Sequence, residues 1–558
     1  MNNKTTSFLN FVSGIGCLAI VALLTMELGF PLNAENRALF SSFHSYIFIF
    51  YFFDLLIRLF MGKPVRYIFT HPTDLFILFP FAIELLPSQS LFPVALLEQG
   101  SLLIVMLGRL MHINFLFKLL RLKPAQMLLM GFIFAIFIGS LLLSLPIATV
   151  DQNLTYVDSL FTATSAVCVT GLVVNDIGMK FTTFGQTVIM LLIQLGGLGI
   201  MTFSVLLVML LNRKVSQRET VEFQQSYATG SMADTYKTIK SIIIFTLLLE
   251  AIGAFFLFVF WHNDFSSFGE AVYYSVFHSI SAFCNAGFSL FSDSFISYAT
   301  YAPVILTISF LIIVGGIGFP VMINLYNHFF NKKNTAIIKF HTKITIMVTI
   351  FLLILGTIVI YASESNNALS EFNLFEKGLI SFFHSVSVRT CGFNSIDLTI
   401  FNAGTLFFLI PLMFIGASPG STGGGIKTTS FGVLIAVCWS TFNSRNKTEV
   451  GNRTLKNDDI LKVIAIVILS ATIIGVFLYL ILLSETHSFL DCFFETVSAF
   501  GTVGLSLGIT KYLSIIGKTF IIILMFIGRV GPLTIAFALS RQKPKTNYSY
   551  PEENVLIA

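Results

Sequence analysis

Four stretches decide how this chain is read: SLFTATSAVCVTGLVV (159–174), SVFHSISAFCNAGFSLF (275–291), SFFHSVSVRTCGFNSI (381–396) and FFETVSAFGTVGLSLG (493–508). Each is a short amphipathic run that ends at a glycine, and those glycines, Gly171, Gly287, Gly392 and Gly504, recur at nearly equal intervals along the chain. A serine stands six residues before the glycine in three copies (Ser165, Ser281, Ser498). The third copy is one residue shorter, with Ser387 five before Gly392. Each interval has room for one helix, a re-entrant segment and a second helix, so residues from about 126 to 540 are one unit written four times.

The rest of the chain has lipid as its main solvent. Of 558 residues, 55% are hydrophobic, 62 are Phe and only 11% are Asp, Glu, Lys or Arg. An ordinary globular chain carries about 25% charged residues, so disordered, nucleic-acid-binding and ordinary cytosolic classes are excluded. Stretches of about 20 apolar residues, enough to span a bilayer, fall near 9–30, 44–62, 73–88, 101–120, 126–147, 182–211, 238–261, 301–330, 342–362, 403–440, 459–483 and 512–540. Twelve crossings place both termini on one side. The first follows a lone Lys4 without a clean cleavage site after it, and so reads as a membrane helix rather than a signal peptide.

Basic residues gather in alternate connections: Lys63 and Arg66; Arg121 and Lys123; Arg213 to Lys240; Lys332 to Lys343; Arg445 to Lys462; and Arg541 to Lys545. The positive-inside rule makes these cytoplasmic, with both termini, and sets topology rather than nucleic-acid binding as their role. The connections 148–181, 262–300, 363–402 and 484–511, which hold the four glycines, then face outward. The six cysteines form no CxxC pair and no metal-ligand spacing, so they read as small packing residues.

Non-helical backbone at membrane depth survives only when buried in protein or lining water. Four such segments around one axis make a pore. A short helix ending at each glycine points its negative end into the membrane, and carbonyls beyond it can replace a cation's water shell. Glycine permits the left-handed backbone that aims successive carbonyls at one axis.

With these four segments the chain resembles the Trk/Ktr/HKT superfamily of potassium-uptake proteins over about three quarters of its length. The resemblance implies an all-α polytopic membrane protein with four tandem helix, pore-loop, helix repeats (about 126–212, 238–330, 342–440 and 459–540) around a pseudo-fourfold pore. It implies a potassium ion held by carbonyls near Val169, Thr170 and Gly171; Asn285, Ala286 and Gly287; Thr390, Cys391 and Gly392; and Thr502, Val503 and Gly504. In plant relatives a serine at the first of these glycines goes with sodium selectivity, so four glycines imply potassium. A homodimer in the bacterial inner membrane, bound to a cytosolic ring of nucleotide-binding regulatory subunits, is implied in the same way. The basic loops near 213–240 and 441–462 are where such a ring would dock.

The second helix of the third repeat is interrupted by GASPGSTGGGIKTT (416–429), in which Pro419 and five glycines forbid a continuous helix. A phosphate-binding reading fails, because Ile426 separates Gly425 from Lys427 and no strand precedes the loop. In the family a loop at this position gates the pore below the filter, which assigns Gly416, Gly420, Gly423, Gly424, Gly425 and Lys427 to a gate. The other second helices have Gly196, Gly197 and Gly199; Gly315, Gly316 and Gly318; and Gly528 and Gly531 at matching places. Arg529 lies among the last of these. An ionisable residue inside a membrane helix is costly and marks function by default, and the family places an arginine beside the loop here. The alternative is packing against Glu495 or Asp491.

Residues 1–124 form a separate amino-terminal module of four helices before the pore domain, 125–558. FYFFDLLIRLF (50–60) and RYIFTHPTDLFILFPF (66–81), with Asp54, Arg58 and Asp74, resemble the second and third helices of voltage-sensor-like domains. Arg109, His112, Phe115, Lys118 and Arg121 follow at every third residue, one helical stripe with only three permanent charges. That favours a structural or docking module over steep voltage sensing. A secondary transporter coupling potassium to sodium or protons is the competing function. The scarcity of carboxylates in the spans apart from Glu250 argues against a proton relay. No base, nucleophile and metal converge at one membrane level, so an enzyme is not expected. His278 and His384 are read as capping and packing groups near the pore-helix starts.

Overall fold

The computed structural model describes residues 34–61, 74, 124–151, 154–199, 232–330, 337–445, 447–451 and 453–539. With no water to satisfy the backbone, apolar runs of this length close their hydrogen bonds internally and become helices. Repeat one comprises α2 (Pro124–Leu143), the pore helix α3 (Tyr156–Cys168) and α4 (Thr183–Leu198). Repeat two has α5 (Met232–Trp261), the pore helix α6 (Phe268–Phe283), α7 (Ala302–Ile317) and α8 (Phe319–Phe330). Repeat three has α9 (Phe340–Glu364), the pore helix α10 (Leu374–Ser387), α11 (Ala403–Phe414) and α12 (Thr428–Phe442). Repeat four has α13 (Asn457–Ser484), the pore helix α14 (Phe489–Gly501), α15 (Ile515–Val530) and α16 (Pro532–Leu539). A two-stranded ribbon, Glu449–Val450 with Arg453–Thr454, joins repeats three and four.

The pore helices start where the sequence supplies a cap. Thr155, Ser267, Asn373 and Ser488 each accept the backbone N–H three residues on, from Asp158, Glu270, Glu376 and Asp491 respectively. Every one of these partners is acidic, which favours the positive end of the helix as well. Each pore helix ends before its glycine, at Cys168, Phe283, Ser387 and Gly501, which corrects the expectation that it ends at the glycine itself. A left-handed residue two before the glycine caps the helix in repeats one and four, and follows it by two and three residues in repeats two and three.

The second helices differ more from expectation. Continuous spans were expected at 182–211, 301–330 and 512–540, yet in each the helix stops partway, as it does at the interruption expected within 403–440. The helices α4, α7 and α15 stop at Gly199, Gly318 and Gly531, whose φ values are 77°, 97° and 89°. L side chains resist that backbone. At Gly318 the axis turns by 98°. A 16-residue helix is about 24 Å long, short of the roughly 30 Å hydrocarbon core, so these halves do not span by themselves. Among the described residues three helices are long and apolar enough to cross a bilayer: Thr238–Asp264, Phe340–Glu364 and Asn457–Ser484, the first helices of repeats two to four. Each second helix thus stops partway along its expected crossing.

Large apolar side chains such as Phe134, Phe255, Phe310, Phe351 and Phe407 are exposed on the outside, as lipid contact requires. In the amino-terminal quarter, α1 (Ala34–Met61) starts ten residues earlier than expected and buries an Asp54–Arg58 ion pair of 2.9 Å. The helices expected at 9–30 and 101–120, with Cys17 and the Arg109 to Arg121 stripe, lie outside the described residues, as does all but Asp74 of that at 73–88.

The chain leaves a seam between repeat four and repeat one that no connection closes. There α15 packs on α3, and Lys518 Nζ bonds Asp158 Oδ1 at 2.7 Å, both side chains nearly buried. Removing one partner of such a pair strands the other charge, a loss of about 3 kcal/mol. Lys518→Met should therefore lower the detergent-solubilised melting temperature by several degrees, while Lys462→Met, from an exposed pair, should leave it unchanged. Equal melting temperatures would show that the seam does not depend on the pair.

Candidate functional site

The four segments after the pore helices share one backbone. Val169, Asn285, Thr390 and Thr502 are left-handed, with φ between 50° and 72°, and the glycines two residues later have φ of 87°, 68°, 87° and 92°. Positive φ at alternate residues turns successive carbonyls to one side. Valine and threonine take that conformation only under outside constraint, about 1–2 kcal/mol each.

Part of the constraint is the serine found in each copy. Gly171 and Gly504 donate their N–H to Ser165 and Ser498 Oγ, at 3.1 Å each. Ser281 and Ser387 instead donate to the carbonyls of Phe288 (2.8 Å) and Phe393 (2.6 Å). The shorter third copy keeps the same contact by ending its helix at that serine.

The segments meet in a closed ring. A Cβ on Gly171 would strike the Ala286 carbonyl oxygen; one on Gly287, that of Cys391; one on Gly392, that of Val503; and one on Gly504, that of Thr170. Each glycine thus lies against the carbonyl of the next repeat, and the fourth returns to the first. The glycines below do similar work: Gly196, Gly315 and Gly528 let the second helices approach the carbonyls of Val167, Phe283 and Phe500.

Residues 415–427 cross beneath the ring. Gly416 N–H donates to Ile426 O (2.9 Å), and Ser418 N–H to Gly316 O (3.0 Å). Phe319 N–H donates to Gly420 O at 3.0 Å. The loop also takes hold of the left-handed residues. The Thr422 hydroxyl donates to Asn285 Oδ1 (3.0 Å), Gly424 N–H donates to Thr502 Oγ1 (3.0 Å), and Gly423 lies against Thr390 Oγ1. Gly425 turns the chain with φ 66°. Lys427 Nζ donates back to Gly423 O at 2.9 Å. Arg529 enters from α15 and donates to the Thr422 and Gly196 carbonyls, so one guanidinium joins the loop to repeat one. Glu495, the partner weighed for it, is engaged by the Thr510 hydroxyl. All the sequence-derived filter and gate residues thus meet in one region.

Several groups differ from their sequence reading. His278 and His384 lie in the second halves of their pore helices, not near the starts. The His278 Nδ1–H donates to Tyr274 O (2.8 Å), while Nε2 accepts the Leu290 N–H (3.2 Å). The neutral ring, donor on one side and acceptor on the other, pins the segment leaving the filter. Glu364, the last residue of α9, and Glu495, in the pore helix α14, are buried in addition to Glu250. Arg389, buried directly before Thr390, is a residue that sequence reasoning missed; a lone arginine in an apolar stretch was the available signal. The pore-helix caps were equally legible, as TYVD, SFGE, NLFE and SFLD.

A family model described as TrkH, cation transport protein, matches residues 123–550. The chain belongs to the TrkH cation-transport family. The family expected from the four repeats is therefore the one found. Among its relatives, Ktr system potassium uptake protein B of Bacillus subtilis is 39% identical over 440 residues, 78% of this chain and 97% of that protein. Potassium/sodium uptake protein NtpJ of Enterococcus hirae is 36% identical over 445 residues, 78% of this chain and 98% of that protein. The potassium transporter TrkH from Vibrio parahaemolyticus superposes with a TM-score of 0.61 at 18% identity, covering 89% of this chain and 98% of that one, a shared fold. As a TrkH-family member with these apolar helices, the chain is a multi-pass membrane protein and not an enzyme.

The ring makes its glycines separable from others. Gly287→Ala would both strain the backbone and strike Cys391, whereas Gly269→Ala, in the first turn of α6, meets open space. Cation flux in liposomes should fall at least about tenfold for the first, the cost of left-handed alanine alone, and stay within about twofold for the second. Equal flux in both would dissolve the ring as a functional unit.

Proposed function

We propose that this protein takes up potassium across the bacterial cytoplasmic membrane through a carbonyl-lined filter gated by the 416–429 loop. The closed contact of four glycines with four neighbouring carbonyls carries the proposal. A cation on that axis would exchange its water for carbonyls of Thr170, Ala286, Cys391 and Val503 and their neighbours, with the negative ends of four pore helices aimed at it. An interior-negative potential drives it inward with about 2.3 kcal/mol per 100 mV. Lys427 and Arg529 hold the loop across the path, and its movement would open it. The potassium-uptake names of the relatives support potassium as the substrate, and both termini are assigned to the cytoplasm by the basic connections.

The remaining assignments belong to the same proposal. Residues 1–124 form a module that precedes the pore domain, 125–558, a boundary close to the start of the family match at 123. A homodimer works with cytosolic nucleotide-binding ring subunits docked on the basic loops. The competing reading, potassium coupled to sodium, draws on the potassium/sodium name of the Enterococcus relative.

Reconstituted flux under an imposed potential tests this. Wild type should carry potassium in preference to sodium, and Gly171→Ser, whose Cβ would press on the Ala286 carbonyl, should admit sodium. A potassium flux that follows the sodium gradient at fixed voltage would favour the coupled transporter; no flux of either ion would overturn both. Arg529→Gln, which loses the charge that ties Thr422 to Gly196, should raise unstimulated flux several-fold, because charge-assisted bonds are about twice as strong as neutral ones. Unchanged flux would remove Arg529 from the gate.

A further inference from the structure

The four repeats act as internal controls for one another, and two buried charges depart from the pattern. Ser279 Oγ donates to the Glu250 carbonyl at 2.6 Å, and Ser385 Oγ donates to the Leu353 carbonyl at 2.8 Å, so Leu353 takes the place of Glu250 in repeat three. In repeat one, Ile136 stands three residues before Gly139, as Glu250 does before Gly253 and Leu353 before Gly356. The fold is content with an aliphatic residue there. Gly196 and Gly315 meet equivalent carbonyls, which pairs Gln194 with Ile313. Cys284 and Arg389 each stand three before their filter glycine.

The seam between repeats one and two thus holds Gln194, Glu250 and Cys284, and the seam between repeats two and three holds Ile313, Leu353 and Arg389. In the first, Gln194 Nε2 donates to Glu250 Oε2 (3.3 Å), and the Cys284 thiol donates to Oε1 (3.8 Å). In the second, Arg389 lines a small cavity with Ile312, Ile313, Thr349, Leu353 and Ala417, and its Nε has no partner. Glu250 is 5% exposed and Arg389 8%. Among the described residues neither forms an ion pair. Burying a single charge costs several kcal/mol unless something offsets it, and the equivalent sites show that packing does not require either.

What the two share is position. Cys284, bonded to Glu250, immediately precedes left-handed Asn285; Arg389 immediately precedes left-handed Thr390. The Glu250 carboxyl group lies behind one filter strand and the Arg389 guanidinium behind the next. We propose that Glu250 and Arg389 are specificity-determining positioning residues that set how tightly the filter holds a dehydrated monovalent cation, Glu250 strengthening the hold and Arg389 weakening it. Neither touches the ion; each acts through the field at the strand it backs. A pore needs such a balance, since binding must admit the ion and still release it. This rests on the pore assignment above.

Potassium uptake kinetics in liposomes of the full chain test it, with size-exclusion profiles as a check on folding. Glu250→Gln keeps the amide and thiol contacts and removes the charge; its KM for potassium should rise about five- to tenfold at undiminished maximal rate. Arg389→Met should lower KM by a similar factor, and Arg389→Lys should restore the wild-type value. Shifts in the same direction for the two neutral variants, or a change in maximal rate alone, would reduce both residues to structural roles and overturn the proposal. If one neutral variant does not fold, the direction of KM in the other decides. An inactive wild type would instead defeat the pore assignment.

Discussion

Everything in the pore domain depends on the contact between each filter glycine and the carbonyl oxygen of the next repeat. A Cβ at Gly171, Gly287, Gly392 or Gly504 would strike the neighbouring strand's carbonyl oxygen, so the strands would have to move apart. The contact demands positive φ at the glycine, and the strand reaches it through another left-handed residue two positions earlier. That residue caps the pore helix in repeats one and four and closely follows it in the other two, and in all four a side-chain cap fixes where the helix begins. Cap, helix, left-handed residue and glycine are one device made four times.

The broken second helices follow from the same crowding. For the strands to meet on the axis, the helices behind them must come to van der Waals contact with pore-helix carbonyls, which Gly196, Gly315 and Gly528 allow. Positive-φ glycines three residues later then end these helices, and at Gly318 the axis turns by 98°. In repeat three the turn has grown into the 415–427 loop, whose polar backbone at membrane depth has to find partners. It finds them in the ring itself: Thr422, Gly423 and Gly424 meet Asn285, Thr390 and Thr502. A gate built this way is coupled to the filter by contact, without any intermediary.

The sequence carried the repeat, the glycines and the interrupted third helix, because periodicity and glycine are one-dimensional signals. The TrkH family and the polytopic helical fold were legible from them. Less was legible where a residue's state depends on its neighbours in space. Nothing in Val169 or Thr502 announces left-handed backbone, which is imposed by serine and ring contacts across six residues and across repeats. Breaks in α4, α7 and α15 were hidden because their flanks are apolar enough to read as unbroken spans. Arg389 escaped notice because topology reasoning counts charges in loops, and its place just after the pore helix, behind a filter strand, becomes visible only when the repeats are superposed.

The most direct measurement is the anomalous scattering of rubidium or thallium in crystals of the protein, both ions being close substitutes for potassium. A peak on the pseudo-fourfold axis, enclosed by the carbonyls of Thr170, Ala286, Cys391 and Val503 and absent from a Gly287→Ala variant, is the result the closed ring predicts. Anomalous density confined to other parts of the molecule, with the ring empty at saturating ion, would contradict it.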